Sequence, residues 1–326
     1  MNECKVCIVD SGITDTKDIG FIGGTNLVER EKSNFRDYNG HGSMCLSTIR
    51  KIVPNFEYYV IRIFGQELKC STFQLMEALS YLLTNDAQII NLSLSTTGIK
   101  YKKDIQNLCK QLYQQGKIVI ASCDNRNNIS IPAECKYTLG VRGTLINSID
   151  RYYFNRWSRI QCLADSTPIL VKGLENQVHF FGGNSKATAC MTGIILKMWK
   201  QHKDENSHQI INRILKNSDS DVKKVRCDDL KMCSTRSVQS NYTEEDTEML
   251  YEILGEVLNI ENEKRKIPFN ESLIDMGLNC ENSLLLLHRI EKDFHLKLSY
   301  EDISLNDVNS IDGLTGLIAK GRKIYG

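Results

Sequence analysis

Lys5-Val6-Cys7-Ile8-Val9 is a β-prone run, apolar from Val6, that stops at Asp10-Ser11-Gly12 and reads as a buried strand with an acid at its carboxyl end. The polar, glycine-bearing stretch 14–35 reads as loop. Met44, Leu46, Ile49 and Val53 then recur at helical spacing behind Gly40-His41-Gly42, so a helix is expected to start near His41. Strands are predicted over 58–64, 88–95, 117–123 and 137–143, and helices over 72–83 and 105–113. Strands alternating with helices indicate βαβ units and a mainly parallel sheet. The small residues of 182–193 suit a tight turn and run into Ile194, Ile195, Leu196, Met198 and Trp199, a buried helix. A short helix over 209–215 closes this region.

Residues 234–243 are polar and aperiodic, as a linker would be. Beyond them Met249, Leu250, Ile253, Leu254, Val257 and Leu258 keep helical spacing, and further helices are read over 283–294 and 311–318. The division expected is an α/β domain over 1–232, a linker over 233–242 and a small all-α helical bundle over 243–326. Charge supports it: from Asn241 onward there are 17 acidic and 9 basic residues, a net of −8, against +9 for the rest.

The chain's 326 residues fit about two domains. No run of about 18 apolar residues suggests a membrane span. The N-terminus lacks the basic and long apolar regions of a signal peptide, so a cytoplasmic location is expected. The 12 cysteines are then expected to be reduced; Cys7, Cys45, Cys109, Cys123 and Cys190 lie in apolar runs, where a thiol acts as a small hydrophobe. Cys4 and Cys7 form a C-x-x-C pair with no second pair at zinc-like spacing, and no metal site is expected.

Three residues far apart in the chain each stand where a strand or loop meets a helix: Asp10, His41 and Ser185. Serine oxygen is a poor nucleophile unless a base takes its proton, and a carboxylate must hold that base in the right tautomer. Asn125, at a strand end, could donate to a developing oxyanion. Taken singly, Ser185 would be an ordinary helix cap and His41 a surface residue.

Together these segments resemble the subtilisin-like serine peptidases. Ile8-Val9-Asp10-Ser11-Gly12 is similar to that family's aspartate strand, Asn39-Gly40-His41-Gly42-Ser43 to its histidine motif and Gly183-Asn184-Ser185-Lys186-Ala187 to its serine motif. The resemblance spans about residues 1–230. It implies a subtilisin-like, mainly parallel sheet flanked by helices. By the same likeness Asp10 orients, His41 is general base and acid, Ser185 attacks and Asn125 stabilises the oxyanion. Substrate backbone would lie as an added strand beside Ser93-Leu94-Ser95. Two positions depart from the family: Lys186 replaces the usual Met, and Ala189 the usual Pro. A cation at Lys186 is expected to bind acidic substrate groups, and the lost Pro to loosen the helix start.

The tail resembles acyl or peptidyl carrier proteins through Ser272-Leu273-Ile274-Asp275-Met276-Gly277-Leu278 and the helix ending at Phe294. Counting back from Phe294, the family's modified serine falls on Cys280, which cannot accept phosphopantetheine; a competing register puts the attachment at Ser283. Catalysis needs no cofactor, and phosphopantetheine enters only in the Ser283 register. The likenesses imply a cytoplasmic serine endopeptidase of narrow specificity, acting on a peptide, protein or carrier-linked substrate in a biosynthetic pathway. A biosynthetic enzyme or carrier is the partner expected at the acidic tail; nucleic acid and membrane are not expected. The alternatives are an acyl or peptidyl transferase using an acyl-serine intermediate, and a non-catalytic peptide-binding protein.

Overall fold

The computed structural model describes residues 3–15, 17–124, 129–224, 243–259 and 271–325. The chain runs β1 (Val6–Asp10), β2 (Phe21–Asn26), α1 (His41–Ile52), β3 (Tyr58–Arg62), α2 (Thr72–Tyr81), β4 (Ile89–Leu92), α3 (Lys102–Gln114), β5 (Ile118–Ser122), β6 (Leu139–Thr144), β7 (Tyr152–Phe154) and β8 (Cys162–Asp165). It continues with β9 (Ile169–Lys172), β10 (Val178–Phe181), α4 (Gly183–Gln201), α5 (Ser207–Lys216), α6 (Glu244–Leu258), α7 (Cys280–Asp293), α8 (Leu305–Val308) and α9 (Ile311–Tyr325).

Eight strands form one sheet in the order β2-β3-β1-β4-β5-β6-β8-β7. Every pairing is parallel except that of β7 with β8. This is the α/β, mainly parallel architecture expected from the alternation of strands and helices. The central strands β1, β4 and β5 are buried throughout, which is why they read as unbroken apolar runs and not as alternating ones. On one face Cys7 and Val9 of β1 pack with Leu75 and Leu79 of α2 and Ile105 and Leu112 of α3. Helices α1 and α4 pack on each other, and α4 lies along β4, β5, β6 and β8. Gly-Gly within β2 hid an edge strand inside what reads as loop, and β7 is too short at three residues to announce itself.

The chain divides into two compact units. The first holds the eight-stranded sheet and helices α1 to α5. The second holds α6 to α9 and, in addition, residues 167–171 and 178–180 from the ribbon formed by β9 and β10. The bundle's core is built from Leu250, Ile253 and Leu254 of α6, Leu286, Leu287 and Ile290 of α7 and Leu314 and Ile318 of α9, with Leu170 of β9 among them. Backbone bonds fix that strand in place: Leu170 N–H donates to Ile303 (3.1 Å) and Leu305 N–H to Pro168 (2.8 Å). The second unit is therefore not a simple C-terminal block, and the linker expected at 233–242 lies outside the described residues.

Helix α7 begins at Cys280 behind Asn279, whose side chain accepts from the backbone N–H groups of Glu281 and Asn282. Ser283 lies one turn further in. It is fully buried, and its hydroxyl donates to the Asn279 carbonyl at 2.5 Å. This corrects the register that made Ser283 an attachment point: the helix starts a turn earlier than that register needs, and the hydroxyl is spent inside the bundle. No helix among the described residues is long and apolar enough to cross a membrane.

Candidate active site

Strand β1 carries Asp10 to its carboxyl end in the middle of the sheet, where the side chain is completely buried. Parallel sheets open their ligand clefts at that edge. Asp10 Oδ1 accepts from the Ser11 N–H (2.8 Å) and stands 2.8 Å from His41 Nδ1.

His41 is the first residue of α1, and a carboxylate that the sequence reading passed over sets its turn. Asp37 Oδ1 accepts from the N–H groups of Asn39 (2.9 Å) and Gly40 (2.7 Å), while Oδ2 accepts from the Ser43 N–H (3.0 Å) and hydroxyl (2.7 Å). An Asp three residues before a Gly is an Asx-turn signal that could have revealed it. Gly40 has φ 95°, which favours glycine. A methyl group on Gly42 would lie 2.3 Å from the Gly12 carbonyl oxygen and 3.2 Å from Asp10 Cβ. The two glycines flanking His41 thus let α1 press against the aspartate loop.

One turn along α1, Cys45 Sγ lies 3.6 Å from Asp10 Oδ2 and 3.3 Å from Ser93 Oγ, within donor range of each. The sequence marked Cys45 only as a small hydrophobe; its place under the acid follows from i, i+4 spacing after His41. Burial, reinforced by the Asp10 charge, raises the Cys45 pKa and keeps it a thiol. Burial acts to lower the pKa of His41, but the charge and hydrogen bond of Asp10 outweigh it and raise the imidazole above its ordinary value. Asp10, His41 and Cys45 each present a ligand-type atom within 4.8 Å of the others. A cation bound there would displace the hydrogen bond between Asp10 and His41.

Ser185 sits in the first turn of α4, after Gly182-Gly183-Asn184. The Asn184 side chain fixes that entry: it accepts from the Gly143 N–H (2.7 Å) and donates to the Cys123 carbonyl (3.2 Å). Ser185 Oγ donates to the Ser93 carbonyl at 3.4 Å. Ser93 Oγ accepts from Asn91 Nδ2 (3.0 Å) and donates to the Ser185 carbonyl (3.4 Å). Phe181 meets the His41 ring edge-on, with centroids 5.5 Å apart.

A cleft of about 610 Å³ gathers these residues. His41, Ser93, Leu94, Ser95 and Ser185 line it together, so the serine, the imidazole and the segment expected to bind substrate, which follows the end of β4 at Leu92, open on one space. Cys123 and Asp124 also reach it, whereas Asn125 lies outside the described residues. Lys186 is not part of the cleft. It is fully buried and its ammonium pairs with the equally buried Asp165, so the expectation that it binds acidic substrate groups is corrected: a side chain leaving the next position of the same helical turn points away from Ser185 into the protein.

Known proteins match this chain over the same region. The family model described as "Subtilase family" matches residues 1–241. Minor extracellular protease Epr of Bacillus subtilis (strain 168) is 23% identical over 225 residues, which cover 65% of this chain and 34% of Epr. Subtilisin Savinase of Lederbergia lenta is 25% identical over 228 residues, covering 64% of this chain and 81% of Savinase. The chain thus spans about a third of the length of Epr, and 61% of the thermostable alkaline protease of Halalkalibacterium halodurans. A solved structure of a cold-adapted subtilisin-like serine proteinase superposes with a TM-score of 0.57 at 17% identity, over 68% of this chain and 85% of that one. A lanthipeptide protease does so with a TM-score of 0.54 at 17% identity, over 64% and 77%. With the family model matching residues 1–241, most of this chain, and the parallel sheet ordered around an Asp10–His41 pair, the chain belongs to the subtilase family, peptidase S8.

Proposed function

We propose that the chain is a serine endopeptidase of narrow specificity, with Ser185 as nucleophile, His41 as general base and acid and Asp10 holding the imidazole. The observation that carries this reading is the 2.8 Å contact between Asp10 Oδ1 and His41 Nδ1, in a cleft that His41 shares with Ser185. With Nδ1–H donated to the carboxylate, the other ring nitrogen is left free to accept the serine proton. The 3.4 Å bond from Ser185 Oγ to the Ser93 carbonyl is weak enough to give up as the hydroxyl turns toward the base. Asn125 is assigned to the oxyanion, and an extended peptide to the edge at Ser93-Leu94-Ser95.

The acidic helical unit is read as a carrier-like binding module that takes no phosphopantetheine, with Cys280 at the position a modified serine would hold. Such a module would bring a peptide or carrier-linked biosynthetic substrate, and this fusion is what argues for narrow specificity.

Labelling with a fluorophosphonate tests the chemistry. Ser185 Oγ should displace fluoride from phosphorus and gain a stable adduct found by mass spectrometry on that residue, and Ser185→Ala should gain none. An intact, folded protein that takes up no label would leave only peptide binding. Supplying an amine acceptor with a peptide ester then separates hydrolysis from transfer: free acid supports the peptidase, ligated product the transferase.

A further inference from the structure

Lys186 directly follows Ser185 where the family usually carries Met, and it is 0% exposed. Its ammonium pairs with Asp165 Oδ2, at the end of β8. The other oxygen of Asp165 accepts from the backbone N–H groups of Ile146 (3.2 Å) and Asn147 (3.0 Å), in the loop that follows β6. Asn147 holds a positive φ of 54°, so that loop is shaped around the carboxylate. The next residue, Ser166, accepts from the Gly183 N–H (3.0 Å) and donates its own N–H to Thr144 (2.9 Å). Asn184 is tied to Gly143. Every residue from Gly183 to Lys186 except the serine is therefore fastened to the ends of β6 and β8, and Lys186 supplies the charged member of that set.

A buried ion pair is poor value for stability. Stripping water from two charges costs several kcal/mol per ion, and apolar side chains of similar volume commonly serve as well or better. What an ion pair does supply is a demanding geometry: a cation on a flexible stem has its lowest energy at one place, set here by an acid that two N–H groups already immobilise. We propose that Lys186 and Asp165 are positioning residues, bracing the first turn of α4 against β8 so that the Ser185 hydroxyl is held where it can attack. This rests on Ser185 being the nucleophile.

The test uses the full chain and three variants: Lys186→Met, Asp165→Asn and the two together. Asn keeps an oxygen for Ile146 and Asn147, and the double variant leaves no charge buried alone. Three quantities are read: the thermal midpoint, the rate at which Ser185 is phosphonylated, and hydrogen exchange of the amides at 185–189. The single variants should lose thermal stability. The double variant should recover the midpoint yet react between about tenfold and a hundredfold more slowly than the parent, the size expected of a misplaced reacting group, and its first-turn amides should exchange faster. A double variant that reacts at the parental rate with its amides still protected overturns the proposal, as does one whose rate falls only as its midpoint falls. Should the parent itself take no label, the nucleophile reading fails, and the exchange rates of 185–189 alone decide whether the brace exists.

Discussion

His41 carries opposing influences, and its titration reports which prevails. Burial disfavours the imidazolium, but Asp10 stands in contact and keeps the proton on the ring to higher pH than usual. A general base works only when neutral, so reactivity must rise with pH through this elevated pKa. The phosphonylation rate of Ser185 should climb to a midpoint above about 6.5, the ordinary imidazole value. In Asp10→Asn the midpoint should fall, and the plateau should drop by roughly three to four orders of magnitude because the wrong tautomer is now held. A midpoint unmoved by that substitution would show that Asp10 does not set the charge on His41. The linked effect on stability has the reverse sense. A pKa raised by folding stabilises the protein below the unfolded-state value, and that contribution drains away as pH rises through the folded-state value.

At the scale of elements, the site depends on how closely two loops approach. Gly42→Ala would push a methyl carbon into the Gly12 carbonyl, and backbone cannot yield there without moving Asp10. The variant should be destabilised by about 1–3 kcal/mol in thermal unfolding, in line with other overpacked sites, and its labelling should slow at temperatures where it remains folded. Asn184→Ala removes one acceptor and one donor that tie α4 to β5 and β6; labelling about tenfold slower, equivalent to roughly one net hydrogen bond of 1–1.5 kcal/mol, is the outcome expected from rate measurements.

The same elements show what the sequence could and could not reveal. Buried parallel strands and amphipathic helices each have a period, so β1, β3, β4, β5 and β6 and the long helices could be located, although α9 runs on to Tyr325, well beyond the 311–318 read from the sequence. Asp10, His41 and Ser185 stood out because each stands at an element boundary, Asp10 at the end of an apolar run and His41 and Ser185 behind glycines at the start of a helix. Lys186 misled because identity says nothing of direction: its partner Asp165 is 21 residues away, at the end of a four-residue strand that no periodicity announces. Cys45 was hidden for the converse reason, since a thiol that packs and a thiol that touches an acid have the same one-letter neighbourhood. The ribbon of β9 and β10 was missed altogether, its two strands being four residues each and stabilised by residues more than a hundred positions downstream.

For the molecule as a whole, that ribbon matters most. Leu170 belongs to the core of the helical unit, so Leu170→Ala should lower the stability of α6, α7 and α9 by about 2–4 kcal/mol, as for other buried leucines. Hydrogen exchange resolved along those helices would register the loss, and unaltered protection there would contradict the assignment of 167–171 to that unit. A further result follows for anyone who severs the polypeptide between 225 and 242. The scission would not liberate a self-sufficient tail, because two short lengths of its fabric remain on the other fragment, one stitched in by backbone bonds of Pro168 and Leu170 to Leu305 and Ile303, the other by packing of Phe180. The halves should travel as one species through a sizing column until denaturant parts them, and the tail made alone from a shortened gene should be a frayed bundle missing a piece of its own interior.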